Sequence, residues 1–160
     1  MEQRRLGANG PEISAIGYGA MSFSDIYGAT NEAQSHAILD ACRDIGVTHL
    51  DTANIYGMGK SENAIGTYLK ANPGARNEFI IATKATITKD AEGNRAFDNS
   101  AEHLEAELDK SLQRLGLECI DATPVSRRRK RQPTSPGWSR RARRARSGCR
   151  KFLPRRCGAP

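Results

Sequence analysis

Apolar side chains recur at the spacing of buried helices and strands only as far as Asp121, and this limit constrains the fold more than any other feature. From Ala122 to Pro160 the sequence holds twelve Arg and two Lys with no Asp or Glu, a charge of +14. All 18 acidic residues precede that stretch and face the eleven remaining basic ones, a charge of −7. The overall +7 therefore averages two unlike parts. Residues 1–121 are patterned as one globular unit. Residues 122–160 are dominated by Arg, Pro, Ser and Gly, cannot offset chain entropy by burial, and are expected to be a disordered basic tail.

Within the first part the elements alternate. Asn9-Gly10 between short polar-apolar stretches is a hairpin signal over Gln3 to Ser14. Ala15 to Met21 reads as a strand whose glycines leave the backbone open to close approach. Asn31 with Gln34 resembles a capping box, after which Ala37, Ile38, Ala41 and Ile45 repeat at helical spacing and Gly46 stops the helix. Val47 to Asp51 is a short strand. A second helix starts near Ser61 and is expected to bury Ala64, Ile65, Tyr68 and Leu69, ending before Asn72-Pro73-Gly74. Phe79 to Lys84 is almost continuously apolar, as a strand covered on both faces requires. A third helix begins near Ser100, shows Leu104, Leu108, Ser111, Leu112 and Leu115 on one side, and closes at Gly116. Cys119-Ile120-Asp121 opens a further strand. Such alternation points to a parallel sheet, doubly wound or closed into a barrel. The strand ends at Asp51 and Lys84 lie one strand–helix unit apart, so both side chains are expected at one rim, where a barrel's chemistry sits.

The cysteines Cys42, Cys119, Cys149 and Cys157 match no zinc or Cys-x-x-Cys spacing, and four free thiols in a cytoplasmic protein is the expectation. No metal site is expected. No apolar run is long enough to cross a bilayer, so no membrane partner is expected. His103, in the first turn of the third helix, reads as a surface residue. Glu102, Glu105 and Glu107 read as a solvated helix face.

Asp51-Thr52-Ala53-Asn54-Ile55-Tyr56-Gly57 with Ser61-Glu62 resembles a signature of the aldo/keto reductase family. The resemblance continues through Ile81-Ala82-Thr83-Lys84, Leu112-Gln113-Arg114-Leu115 and Ile120-Asp121, in the family's order. It implies a (β/α)8 TIM barrel that exchanges hydride between NADPH and a small aldehyde or ketone. Of that barrel, residues 1–121 carry the N-terminal hairpin and the first three to four βα units. Reduction of a carbonyl leaves an alkoxide that needs a proton. An unperturbed phenol, near pKa 10, is a poor acid at neutrality, and a neighbouring ammonium improves it. The resemblance assigns Tyr56 as the general acid, Lys84 as its activator and Asp51 as the partner of Lys84. It places Gly19, Ala20 and Met21, with Asp51, against the nicotinamide.

The family's fourth catalytic residue, a histidine shortly after the Ile-Asp pair, has no counterpart, since no His follows His103. The later strands that hold most of the dinucleotide find no match either, and this chain is expected to be inactive. The tail points to its own origin. With permitted codons, Gly137 to Ala159 read two bases out of frame can give LVEEGKARAIGLSEVSPSSLRRA, which resembles the family's next segment. A frameshift near residue 122 is the expectation. The alternative is a binding protein whose Arg-rich tail contacts nucleic acid or an acidic partner, salt-dependently and with little selectivity.

Overall fold

The structure, a computed structural model, describes residues 1–8 and 10–121, so Asn9 and the basic segment with Cys149 and Cys157 lie outside it. The expected hairpin forms from β1 (Gln3–Arg5) and β2 (Glu12–Ser14), antiparallel, with Arg4 opposite Ile13. The strand expected over Ala15–Met21 is shorter. Only Tyr18–Gly19 (β3) pair, and Ala20–Ser24 coil into a 3-10 helix. The cause is local. The Ala20 carbonyl accepts from the Ser61 hydroxyl at 2.7 Å and the Met21 carbonyl from Ser24 at 2.5 Å, so neither needs a neighbouring strand.

Helix α1 (Glu32–Asp44) starts at the predicted capping box, in which Asn31 and Gln34 satisfy each other's backbone N–H. Its buried face differs from the expected one. Ser35, Leu39 and Cys42 are inside with Ile38 partly covered, whereas Ala37 and Ala41 are exposed and Ile45 is 61% exposed. Both sets have helical spacing. Leu39 and Cys42 join the core cluster with Leu50, Tyr68 and Phe79, and alanines tolerate exposure.

β4 (His49–Asp51) and β5 (Ile80–Ala82) add to β3 as a parallel sheet in the order β3-β4-β5, with Gly19 beside Asp51 and Leu50 beside Ile81. α2 (Lys60–Ala71) buries Ile65, Tyr68 and Leu69 as expected, with Ala64 only partly covered. α3 (Ala101–Leu115) is capped by the Ser100 hydroxyl and ended by Gly116 at φ +66°, a conformation that favours glycine. Of its predicted stripe, Ser111 and Leu115 are fully buried and the other three leucines partly so. The core joins Phe23, Leu39, Leu50, Ile65, Tyr68, Phe79, Ile81 and Leu115. It lies between the sheet and the helices, as in a layered α/β fold.

A second hairpin, β6 (Ile87–Lys89) with β7 (Arg95–Phe97), stands between β5 and α3. It was not expected, although its signal was present. Asp90 accepts from the backbone of Glu92 and Asn94, and Gly93 takes φ +84°. The strand expected at Cys119–Asp121 does not form among the described residues. The Asp121 carboxylate instead accepts from the Ile81 N–H at 2.9 Å and from Arg76 at 2.9 Å, so a side chain serves the outer edge of β5. Cys42 is a buried free thiol, but Cys119 is disulfide-bonded, against expectation. No helix among the described residues is long and apolar enough to cross a membrane.

The core carries a pH dependence. Tyr68 is fully buried and donates to Asp40 at 2.6 Å. Burial first, and the Asp40 carboxylate second, push its phenol above the ordinary value of 10. Burial likewise raises the Cys42 thiol above 9.0. The fold therefore favours both neutral forms. Their stabilisation is complete below the unfolded values and is lost as pH climbs through the raised ones. The thermal midpoint, followed by circular dichroism, is expected to fall steadily above pH 9–10. Tyr68→Phe is expected to flatten that fall. An equally steep decline in the variant would exclude Tyr68 as a contributor.

Candidate active site

Strand alternation decides which side chains meet. Residues 50, 52, 81 and 83 point toward the helices, and residues 51 and 84 point to the opposite side of the sheet. At the end of β4 the chain continues pairing beyond the strand, with Thr52 N–H to the Ala82 carbonyl at 2.8 Å and Asn54 N–H to that of Lys84 at 3.0 Å. This brings Asp51 and Lys84 side by side, as their spacing predicts. Lys84 Nζ donates to both carboxylate oxygens of Asp51, at 2.7 and 2.8 Å, and to the Thr52 carbonyl at 2.9 Å. Tyr56 arrives on the turn after β4. Its hydroxyl lies 3.4 Å from Lys84 Nζ and its ring centroid 5.1 Å from the same atom. The ammonium thus has one carboxylate, one carbonyl and one phenol around it, at an end of the sheet open to water.

The turn is shaped by consecutive left-handed residues, Gly57 at φ +61°, Met58 at +52° and Gly59 at +95°. A Cβ at Gly57 would come within 3.0 Å of the Ser24 and Lys60 side chains, so this loop sits tightly on the loop that follows β3. Lys60 also pairs with Asp25 across the same contact. Of the remaining predicted site residues, Gly19 is exposed and aligned with Asp51, Ala20 is buried and Met21 is partly buried. A Cβ on Gly19 would meet nothing within 4 Å, so the surface beside Asp51 is open. Among the described residues no group of three or more His, Cys, Asp or Glu could hold a metal ion.

Two sequence readings are corrected here. His103 is no surface residue, because its side chain is only 17% exposed and its Nε2 lies 2.9 Å from the Ala85 carbonyl, one residue past Lys84. Glu107 is no solvated carboxylate either. It accepts from Asn54 Nδ2 at 2.8 Å and from Lys110 at 2.7 Å, which ties α3 to the turn that carries Tyr56. Burial works to raise its pKa, but the hydrogen bonds from Lys110 and Asn54 outweigh that and hold it below the ordinary 4.5. Beside this link, the turn, the second hairpin and α3 enclose a cavity of about 220 Å³ lined by Asn54, Ile55, Thr88 and Glu107 among others.

Sequence reasoning also missed a buried pair. Glu62 is fully buried, accepts from Thr83 Oγ1 at 2.6 Å, and pairs with Arg114 at 2.7 Å. Glu62 and Arg114 are 52 residues apart, and no local spacing links them.

The model of the "Aldo/keto reductase family" matches residues 15–139, running past Asp121 into the basic segment. The aldo-keto reductase yakc [NADP(+)] of Schizosaccharomyces pombe is 38% identical over 116 residues, covering 72% of this chain and 34% of that protein. L-galactose dehydrogenase of Arabidopsis thaliana is 35% identical over 121 residues, covering 76% of this chain and 36% of its own. Among solved structures, aldo-keto reductase AKR11C1 from Bacillus halodurans (holo form) superposes with a TM-score of 0.65 at 30% identity, over 77% of this chain and 39% of that one. The chain spans about a third of the length of the curated relatives it matches. With the strand order, the site geometry and a family match over most of its residues, this chain belongs to the aldo/keto reductase family of oxidoreductases, whose fold is the TIM barrel.

Proposed function

We propose that residues 1–121 form the opening βα units of a (β/α)8 barrel and carry the proton-transfer half of an NADPH-dependent reduction of a small aldehyde or ketone. The observation that supports this most is Lys84 Nζ held between Asp51 at 2.7 Å and the Tyr56 hydroxyl at 3.4 Å. Tyr56 donates its hydroxyl proton to the oxygen of the carbonyl as that oxygen gains negative charge. The Lys84 ammonium stabilises the phenolate left behind, and Asp51 with the Thr52 carbonyl keeps the ammonium in place. The open backbone at Gly19 beside Asp51, with the partly buried Met21, fits a flat nicotinamide ring, while the fully buried Ala20 would support that surface from beneath. When bound, NADPH supplies the hydride.

We further propose that the 160 residues by themselves do not turn over. No histidine stands among residues 122–160 to orient the substrate carbonyl, and that segment holds twelve Arg and no acidic residue. A basic segment of charge +14 also favours a second reading, non-specific attachment to nucleic acid or an acidic partner. Resequencing the gene separates these ideas. A continuation containing the histidine supports the frameshift, and a verified tail of unrelated origin removes it.

The biochemical test compares two chains. The frame-restored protein is expected to consume NADPH with small aldehydes, and Tyr56→Phe to lower kcat about 10²–10⁴-fold. The 160-residue chain, titrated with NADPH by intrinsic fluorescence, is expected to show no tight binding. Tight binding there contradicts the proposed inactivity. A frame-restored protein that consumes no NADPH contradicts the proposed reaction. Salt-resistant, sequence-selective nucleic-acid binding would favour the second reading.

A further inference from the structure

The first turn of α2 holds Ser61 and Glu62, both fully buried, and each serves the ends of different strands. The Ser61 hydroxyl donates to the Ala20 carbonyl just after β3 at 2.7 Å and lies 2.8 Å from Thr52 Oγ1 just after β4. The Glu62 carboxylate accepts from Thr83 Oγ1 just after β5 and from Arg114 at the end of α3. One helical turn thereby fastens three successive strand ends and a second helix.

The two threonines are the inner contacts of this fastening, and each adjoins a residue of the candidate site. Thr52 follows Asp51, and Thr83 precedes Lys84. Adjacent residues of an extended chain point to opposite sides, so fixing Thr52 and Thr83 from the helix side sets the direction of Asp51 and Lys84 on the other. Thr52 is used twice. Its hydroxyl faces Ser61 while its carbonyl accepts from Lys84 Nζ at 2.9 Å. A buried carboxylate is costly unless it is paired and hydrogen-bonded. Glu62 meets that requirement with one oxygen on the Thr83 hydroxyl and the other on the Arg114 guanidinium.

We propose that Glu62, acting through Thr83, is a positioning residue for Lys84, and that Ser61 does the same through Thr52 for the carbonyl that shares the ammonium. This rests on the reading of Lys84 as part of the active site, but its test needs no turnover. Loosening the anchor lets Lys84 leave Asp51, and a freed amine reacts faster with an acylating reagent. The experiment is brief acetic anhydride labelling of the full 160-residue chain, with the extent at Lys84 read by peptide mass spectrometry. The exposed Lys70 and Lys89 serve as internal standards.

Thr83→Val keeps the side-chain shape and removes the hydroxyl; Glu62→Gln keeps the length and removes the charge. Losing one charge-assisted hydrogen bond is expected to raise Lys84 labelling about fivefold relative to the standards. Thr83→Ser, which restores the hydroxyl, is expected to label as the parent does. Lys84 labelling unchanged in both variants overturns the proposal. So does a uniform rise at all lysines in both, which marks a general loss of structure, and so does a serine variant that labels like valine. A chain that labels as expected yet belongs to a frame-restored protein without NADPH consumption overturns the proposed reaction and leaves the positioning role standing.

Discussion

Glu62→Ala is expected to cost about 3 kcal/mol of folding stability, a large share of the 5–15 kcal/mol that typical domains possess. The carboxylate is fully buried, so its removal leaves the Thr83 hydroxyl and the Arg114 guanidinium without their partner. Arg114 is 24% exposed and can recover part of its hydration, which keeps the cost near the low end of the range for broken buried pairs. Urea unfolding followed by far-ultraviolet circular dichroism is the measurement. The midpoint is expected to fall by about 2 M for a domain of this size. A shift of a few tenths of a molar would mean that the pair contributes no more than a surface salt bridge.

The second large effect has a sign opposite to the usual one. An alanine replacing glycine inside a helix ordinarily gains about 1 kcal/mol. At Gly66, within α2, a Cβ would stand 2.2 Å from the Arg114 carbonyl oxygen and 3.1 Å from the Leu115 Cα. These are backbone atoms of the last turn of α3, which cannot swing aside as a flexible side chain can. Gly66→Ala therefore forces the two helices apart over Ile65 and Leu115, both fully buried, and overpacking of this kind costs about 1–3 kcal/mol. The thermal midpoint is expected to drop by about 5–10 °C. An unchanged or raised midpoint would show that the helices separate without loss.

Both effects depend on the contact between α2 and α3, and that contact reaches the site. Arg114 pairs with Glu62 beneath Thr83, and Glu107 on the same helix holds Asn54 in the turn after β4. The third helix is thus more than a cover for the sheet. It restrains the turn that carries Tyr56 and the strand end that carries Lys84.

The sequence by itself determined the features that short-range hydrogen bonds settle. Asn31 with Gln34, Ser100 and Gly116 fixed helix ends, because a cap bonds residues two or three positions away. The strand–helix order followed from apolar spacing, and the meeting of Asp51 and Lys84 followed from two strands of equal phase. The tertiary structure decided what depends on distant partners. Leu39 and Cys42 face inward in place of Ala37, Ala41 and Ile45 because Tyr68 and Phe79 offer apolar surface on that side. Glu107 and His103 are drawn in by Asn54 and by the Ala85 carbonyl, neither of which a helical pattern can reveal. Asp121 ends as a side-chain acceptor for Ile81 and Arg76, although its neighbourhood reads as a strand. Glu62 has the look of an ordinary acidic residue in a first helical turn. Only the packing of α2 against a strand end and α3 makes it a fully buried anion with two partners, since pairing across 52 residues is a property of the fold and not of any local stretch.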